Sequence, residues 1–383
     1  MSDQLLRTII SPRRYVQGRG AIRRLGEYVK ALGQTPVVVA DDIVRGLVAH
    51  DVEASFAEAG LPLTWDRFGG VPTAVEVDRL VSVAQAAGAD VRVAVGGGST
   101  LDAVKAAGFI AGTAWVTVPS VASTDAPTSA LSVIYTEEGE FSEYRFFPKN
   151  PDLVLVDTQL VVAAPAAFLA AGVGDALATW LEARATDRAH ATTMAGGLAT
   201  LTGTALAELS WRVLWENALP ALAAVEQHVV TPAVERVVEA NTLLSGIGFE
   251  SGGLAAAHAI HNGLTAVPQT HGLAHGQKVN IGSVTQLVLE GAPSGDVTDF
   301  IEFTTRVGLP NTLTEVGLRA DDAESLRRIA EAATAPGETI HNMPFPVSVV
   351  DLVDALASIE GLARRARARA GLPEPVPYTG SGH

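Results

Sequence analysis

Four of the chain's nine histidines fall within "HAIHNGLTAVPQTHGLAHG", the stretch from His258 to Gly276, in less than a twentieth of its length. His258 and His261 are three residues apart in a helical stretch, so their side chains lie along adjacent faces of one turn, and His271 and His275 are similarly related at i, i+4. The intervening "NGLTAVPQT" reads as a turn between helices, so two histidine-bearing segments can converge on one point. A lone histidine on an apolar face is ordinarily a hydrogen-bonded core residue. Four across a helix-turn-helix, in a chain this poor in histidine, point to a metal centre. Not all four need bind, because catalytic sites commonly use three protein ligands and keep a position open. The chain has no cysteine, so the third ligand is expected to be a carboxylate. Asp175, in "AAGVGDALATW", is the candidate, since an ionised group in an Ala/Leu/Trp helix is costly unless something positive compensates it. Its alternative role is a helix cap after Gly172 and Gly174.

A second constellation is "VAVGGGSTLDAVKAAG": a β-branched strand, three glycines, a Ser-Thr pair and a helix. Glycines let backbone approach a bulky anion, and the N–H groups and dipole of the helix start suit a pyrophosphate. The pattern is neither GxGxxG nor a Walker loop, and a tight strand-to-helix turn explains it too. Asp41 and Asp42 close "VVVADD", where a carboxylate can accept hydrogen bonds from adenosine ribose and would repel a 2′-phosphate. That favours NAD over NADP, against the plain reading of a helix cap. The loop "VPSVASTDAPTSALSVIY" offers Ser120, Ser123 and Ser129 to phosphate or ribose and Asp125 to a substrate hydroxyl, or is an ordinary polar turn.

Elements that could position these groups are legible around them. "PVVVADD", "LTWDRF", "VRVAVGGGS", "AWVTVPS" and "DLVLVD" read as strands, with "IVRGLVAHDVEASFAEAG" and "TAVEVDRLVSVAQAAG" as helices between them and "LSVIYTEEGEF" as a hairpin. The βαβα rhythm predicts an α/β domain with a doubly wound parallel sheet. From about Pro165 alanine and leucine dominate and β-branched runs nearly vanish, which predicts an all-α second half. Some helices there are apolar nearly all round and belong inside a bundle. The expected division is 1–162 for a dinucleotide-binding α/β domain and 163–383 for an all-helical metal- and substrate-binding domain. A length of 383 residues suits two domains. With 48% apolar and 18% charged residues the chain is globular, and its net charge of −15 disfavours nucleic acid, "RRARAR" near the C-terminus reading as a solvated helix face. No secretory leader and no long purely apolar run is evident, so a soluble, cytoplasmic protein with no membrane partner is expected.

Together these stretches resemble the glycerol dehydrogenases of the iron-containing (group III) polyol and alcohol dehydrogenase superfamily, which also includes the cyclase dehydroquinate synthase. The resemblance rests on "GGGSTLDAVKA", "ASTDAPTSALSVIYT", "AAGVGDALATWLEARA", "TTMAGG", "EQHVVTPAVERVVEAN", "GFESGGLAAAHAIHNGLTAVP" and "GETIHNMP". It implies a dehydroquinate synthase-like fold, an N-terminal dinucleotide-binding domain and a C-terminal all-α domain, with the active site in the cleft between them. It implies metal ligands at Asp175, His258 and His275, with zinc first and Fe(II) as the alternative. NAD contacts are implied at Asp41, Gly97, Gly98, Ser99, Ser120, Ser123, Ser129, Leu131 and Tyr135. Asp125 would contact the polyol, with Phe249 beside it. His261 and His271 would orient a ligand or carry a proton outward. The implied reaction is metal-assisted, NAD-dependent oxidation of glycerol or a similar vicinal diol or secondary alcohol to the ketone, by a homo-oligomer, an octamer in the family. Alternatives are a cyclase of the dehydroquinate synthase type, a dehydrogenase for another hydroxyl compound, and a non-catalytic nucleotide-binding or assembly protein. Departures from the family pattern are Ser99, where lysine is common, Phe345 and Pro346 in place of a glycine pair, and bulky Phe146 and Phe147. They bear on cofactor and substrate preference.

Overall fold

The computed structural model describes residues 6–137 and 141–378. Among these, the strands are β1 (Tyr15–Gly18), β2 (Pro36–Ala40), β3 (Thr64–Arg67), β4 (Val91–Gly96), β5 (Ala114–Pro119), β6 (Leu131–Tyr135), β7 (Phe141–Phe146) and β8 (Leu153–Asp157). All but β6 and β7 form one parallel sheet in the order β1-β8-β5-β4-β2-β3, while β6 and β7 pair antiparallel. The expected hairpin is therefore present, and its tip, 138–140, lies outside the described residues. The helices interleaved with the sheet are α1 (Leu25–Lys30), α2 (Asp42–Ala59), α3 (Ala74–Ala86), α4 (Gly98–Ala111) and α5 (Thr158–Ala163).

Alternation along β2 shows why the sheet is covered on both faces. Val38 and Ala40 join Val44, Val48, Val52 and Phe56 of α2 in one core, whereas Val37 and Val39 join Leu80 of α3 and Leu101 and Val104 of α4 in another. Successive strand residues point to opposite faces, so burial on both leaves "PVVVA" without a polar position. The chain leaves β2 outward to β3, then crosses back to place β4 on the other side of β2. The carboxyl ends of β2 and β4 thus flank a topological switch point, where open α/β sheets bind ligands. β1 and α1 have no counterpart among the elements expected from sequence, because "RRYVQGRGAIRRLGEYVK" is too rich in arginine and glycine to show either period.

The remaining helices are α6 (Ala166–Ala189), α7 (Leu201–Val225), α8 (Pro232–Glu239), α9 (Ser245–Gly252), α10 (Ala256–Thr265), α11 (His275–Leu289), α12 (Ser294–Val307), α13 (Ala323–Ala333) and α14 (Val349–Ala370). A parallel sheet with helices followed by a helical region is the fold class the sequence predicts. The compact units do not follow one cut at 162. Ile10–Phe168 and Ala223–Gly246 form one, and the described residues within Met1–Ile9, Leu169–Leu222 and Ile247–His383 form the other. Side-chain bonds fasten the returning segment to the sheet: Gln17 Nε2 on β1 donates to Glu235 Oε2 of α8 at 2.7 Å, and Thr158 Oγ1 donates to Glu235 Oε1 at 2.8 Å. By length and hydropathy α6 could cross a membrane, but 78% of its apolar window is buried inside the protein, as expected of a core helix.

Candidate functional site

Asp175 lies in the interior of α6, so it caps nothing. Its neighbour Gly174 and the residue after His275, Gly276, explain how α6 and the start of α11 come together. A Cβ on Gly276 would stand 1.7 Å from the Ala171 carbonyl oxygen, and one on Gly174 would stand 2.5 Å from the Gly276 carbonyl oxygen. Only missing side chains permit this approach, and Asp175 and His275 are the residues beside the gap. α10 packs on α11 and supplies His258 and His261.

His275 Nε2 lies 3.0 Å from Asp175 Oδ1, and His258 Nε2 lies 3.4 Å from the same oxygen. One donor atom from each of the three residues lies within 4.8 Å of the others. Imidazole and carboxylate bonds of roughly 2.0–2.2 Å to a tetrahedral ion require donor atoms roughly 3.3–3.6 Å apart. Two nitrogens and one oxygen at these separations fit a divalent cation with one position open. Burial would push the Asp175 carboxyl up, but the His275 and His258 imidazoles overturn this and hold it well below its ordinary range. Burial likewise opposes a charge on His258, yet the Glu182 and Asp175 carboxylates raise it well above its usual value. Buried carboxylates facing imidazoles need a positive charge among them, which a protonated imidazole or a bound cation can supply.

His261 is brought to the cluster, its Nε2 3.0 Å from His275 Nδ1 and its Nδ1 3.1 Å from Asn262 Oδ1, while Asn262 Nδ2 donates to Glu338 Oε2 at 3.0 Å. Burial, then His275, Lys278 and His258, push His261 well below the ordinary histidine value. Burial also pushes Lys278 down to about 8. His271 is not brought in by any bond to the three: it is exposed, and its Nε2 donates to the Thr265 carbonyl at 3.0 Å. Phe249 is buried on α9.

At the switch point in the other unit, Gly97 caps α4 with no side chain on the helix's first N–H groups. A Cβ on Gly97 or Gly98 would meet no protein atom closer than 3.6 Å, so protein packing does not exclude side chains there. Open space over unblocked N–H groups fits a phosphate-bearing ligand. Exposed Ser99 adds no charge. Asp41 does cap α2, Oδ1 accepting from Val44 N at 2.8 Å, which uses one of its two oxygens. Asp42 is paired with Arg67 at 2.7 Å.

The serine-rich loop is tied down within the same unit. Lys105 Nζ donates to the Ala126 carbonyl at 2.8 Å and to Ser129 Oγ at 2.9 Å, so the buried Ser129 hydroxyl is committed to the protein itself. A π-helical turn, Ala240–Leu244, holds the loop from the other side: Asn241 Nδ2 donates to the Ala122 carbonyl, and Thr128 Oγ1 to the Thr242 carbonyl. Ser245 Oγ donates to Asp125 Oδ2 at 2.7 Å. Ser120 and Leu131 are buried and Ser123 is half-buried. Burial, then the charge of Asp102, pushes the Tyr135 hydroxyl up to about 12.

Two features escaped sequence reading. Glu182, seven residues after Asp175 and fully buried, faces His258. An acid at i+7 on an apolar helix shares the face of the first, which is a readable signal. The π-helical turn left none.

The chain thus combines a dinucleotide-type parallel sheet with a helical region bearing an Asp-His-His cluster that could hold a metal ion. The family model described as iron-containing alcohol dehydrogenase matches residues 12–158. A glycerol dehydrogenase of Escherichia coli O6:H1 is 54% identical over 88% of this chain and 92% of its own. A glycolaldehyde reductase of Halobacterium salinarum is 48% identical over 94% of this chain and 98% of its own. The crystal structure of a glycerol dehydrogenase from Schizosaccharomyces pombe, 39% identical, matches with a TM-score of 0.95 over 99% of this chain and 97% of that one. The chain belongs to the iron-containing alcohol dehydrogenase family, whose members are NAD-dependent dehydrogenases.

Proposed function

We propose that this protein is an NAD-dependent polyol dehydrogenase that interconverts glycerol and dihydroxyacetone, or a similar diol and its ketone, at a zinc centre held by Asp175, His258 and His275. The observation that carries the reading is the convergence of those three donor sets within 4.8 Å, in a chain whose relatives include glycerol dehydrogenases. Bound zinc supplies Lewis-acid polarisation of the alcohol oxygen, which lowers its pKa, and NAD supplies the hydride acceptor.

The chain's own residues do the rest. His261, kept neutral by burial and cationic neighbours, accepts from His275 Nδ1 and fixes that ring with Nε2 toward Asp175. His271, exposed, can exchange the released proton with solvent. Asp125 accepts a hydrogen bond from a substrate hydroxyl, its carboxylate steadied by Ser245. Phe249 adds apolar surface for the carbon skeleton. Gly97, Gly98 and Ser99 present the start of α4 to the pyrophosphate. Asp41 accepts from the adenosine ribose, while Ser120, Ser123, Leu131 and Tyr135 line the cofactor's course. Ser129 supports that course through Lys105. The octameric assembly belongs to the same reading: Ile43 and Leu47, one turn apart and exposed on α2, are apolar surface that association would cover. Light scattering reads its mass.

The testing experiment follows absorbance at 340 nm with a panel of diols and secondary alcohols, using chelator-treated protein with and without added zinc. Zinc-dependent accumulation of NADH with glycerol or a near relative is the expected result. Full activity of metal-free protein, or no net NADH with any alcohol, overturns the reading; the second outcome is what a cyclase gives. The Halobacterium salinarum relative supports a second reading, reduction of a small hydroxyaldehyde such as glycolaldehyde, which the panel tests in the reverse direction.

A further inference from the structure

Glu182 is fully buried on α6, and both its oxygens are engaged. Oε1 accepts the backbone N–H groups of Ala255 at 2.8 Å and His258 at 2.9 Å, and Oε2 lies 2.5 Å from His258 Nδ1. A neutral imidazole has one N–H and one lone pair, so the partner of one nitrogen decides what the other offers. A carboxylate only accepts, so the proton sits on Nδ1. Nε2 faces Asp175 Oδ1 at 3.4 Å, and in the neutral form of the ring it is the nitrogen that keeps the lone pair.

We propose that Glu182 is the positioning residue of the metal centre, locking His258 in the tautomer that can ligate through Nε2. This rests on the reading that Asp175, His258 and His275 hold a cation, and is independent of which alcohol is oxidised. The geometry calls for a carboxylate rather than an amide. Two fixed N–H donors point at one oxygen and a ring nitrogen at the other, so a glutamine must set its carbonyl against the backbone and its NH₂ against Nδ1. His258 then accepts at Nδ1 and carries its proton on Nε2. Such a ring donates well to Asp175 and cannot bind a metal. The reversed amide points two N–H groups at its own NH₂, leaving buried donors unmet. A buried packing role alone makes no distinction between Glu and Gln, which have nearly the same shape. Glu182 and Asp175 together also bring two negative charges to a site meant for a divalent ion.

The test uses the full-length protein, stripped with a chelator. Zn²⁺ affinity is measured by competition with a chromophoric chelator, and the visible spectrum of the Co²⁺-loaded protein reports the ligand set. Glu182→Gln is expected to bind Zn²⁺ about 10–100-fold more weakly and to lose the wild-type Co²⁺ spectrum. Its metal-free circular dichroism spectrum and NAD affinity should match the wild type, and Glu182→Asp should recover part of the affinity. Wild-type affinity and spectrum in Glu182→Gln overturn the proposal. If Glu182→Gln fails to fold, Glu182→Asp decides: weaker Zn²⁺ binding supports the proposal and unchanged binding overturns it. A wild-type protein that takes up neither Zn²⁺ nor Co²⁺ refutes the reading of the centre itself, before any variant is made.

Discussion

Gly276→Ala deletes no ligand, yet it should disable the metal centre. Propensity alone predicts a gain of up to about 1 kcal/mol, because alanine is the better helix former. The added Cβ, however, would lie 1.7 Å from the Ala171 carbonyl oxygen, half the 3.4 Å of an ordinary contact, and 3.1 Å from the Asp175 amide nitrogen. Both atoms are backbone, so no rotamer relieves the clash, and α6 and α11 must part by roughly 1.5 Å in a tightly packed interior. Overpacking of this kind costs about 1–3 kcal/mol, and with backbone on both sides the upper end applies. The net expectation is a loss of about 2 kcal/mol, which at about 1–2 °C per kcal/mol in a chain of this length lowers the thermal midpoint by about 2–4 °C. The same separation opens the 3.0 Å approach of His275 Nε2 to Asp175 Oδ1. Metal sites tolerate ligand displacements of only about 0.2 Å, so Zn²⁺ affinity should fall by at least the 10–100-fold that disturbed outer partners cost. Scanning calorimetry and chelator competition measure the two losses. Gly46→Ala, at an exposed interior position of α2 with nothing within 4 Å of the new Cβ, is the control and should gain about 0.5–1 kcal/mol. A Gly276→Ala protein as stable as the wild type, with full Zn²⁺ affinity, would refute the idea that the glycine contact builds the centre.

Removing the metal should abolish turnover while far-ultraviolet circular dichroism stays nearly unchanged, since the ligands sit on helices packed through their own apolar faces; loss of helix with the metal contradicts this. Asp41→Asn keeps an oxygen for the α2 cap and loses the charge, so kcat/KM for NADP should rise relative to NAD at little cost in stability; an unchanged ratio removes Asp41 from cofactor choice. Lys105→Met strands Asp102, its buried ion-pair partner at 2.9 Å, and should cost about 3–5 kcal/mol in urea denaturation; a loss below about 1 kcal/mol means the pair does not anchor the loop. Asp125→Asn should raise KM for the polyol more than Kd for NAD; equal losses assign it a structural role.

The sheet was legible because strands buried on both faces leave an unbroken β-branched run, as "PVVVA" and "LVLVD" do, and because α2 and α3 run out at Gly60 and Gly88, both in the left-handed region. β1 was not, since an edge strand of four half-buried residues needs no apolar pattern. The boundary near 162 follows a change in composition, whereas the return of Ala223–Gly246 to the sheet-bearing unit depends on contacts such as Gln17 with Glu235, between residues more than two hundred positions apart. No local propensity encodes them.

At the proposed metal site the sequence exposes whatever is chemically expensive. An aspartate within an alanine-rich helix and four histidines crowded between positions 258 and 275 are costly unless they act together, so they stand out by type and spacing, and the family resemblance is what narrows the set to Asp175, His258 and His275. What sets them at working distance is inexpensive and therefore inconspicuous: two glycines among the chain's thirty-seven, meaningful only because Gly174 meets Gly276, and a glutamate that reads as a surface residue until its two oxygens are counted against three donors. The candidate ligands can be recognised one at a time, but the angle at which α6 crosses α11 and the nitrogen that His258 turns toward Asp175 are properties of pairs. A variant that keeps every ligand and alters only such a pair, as Gly276→Ala does, therefore probes the geometry that residue types alone leave open.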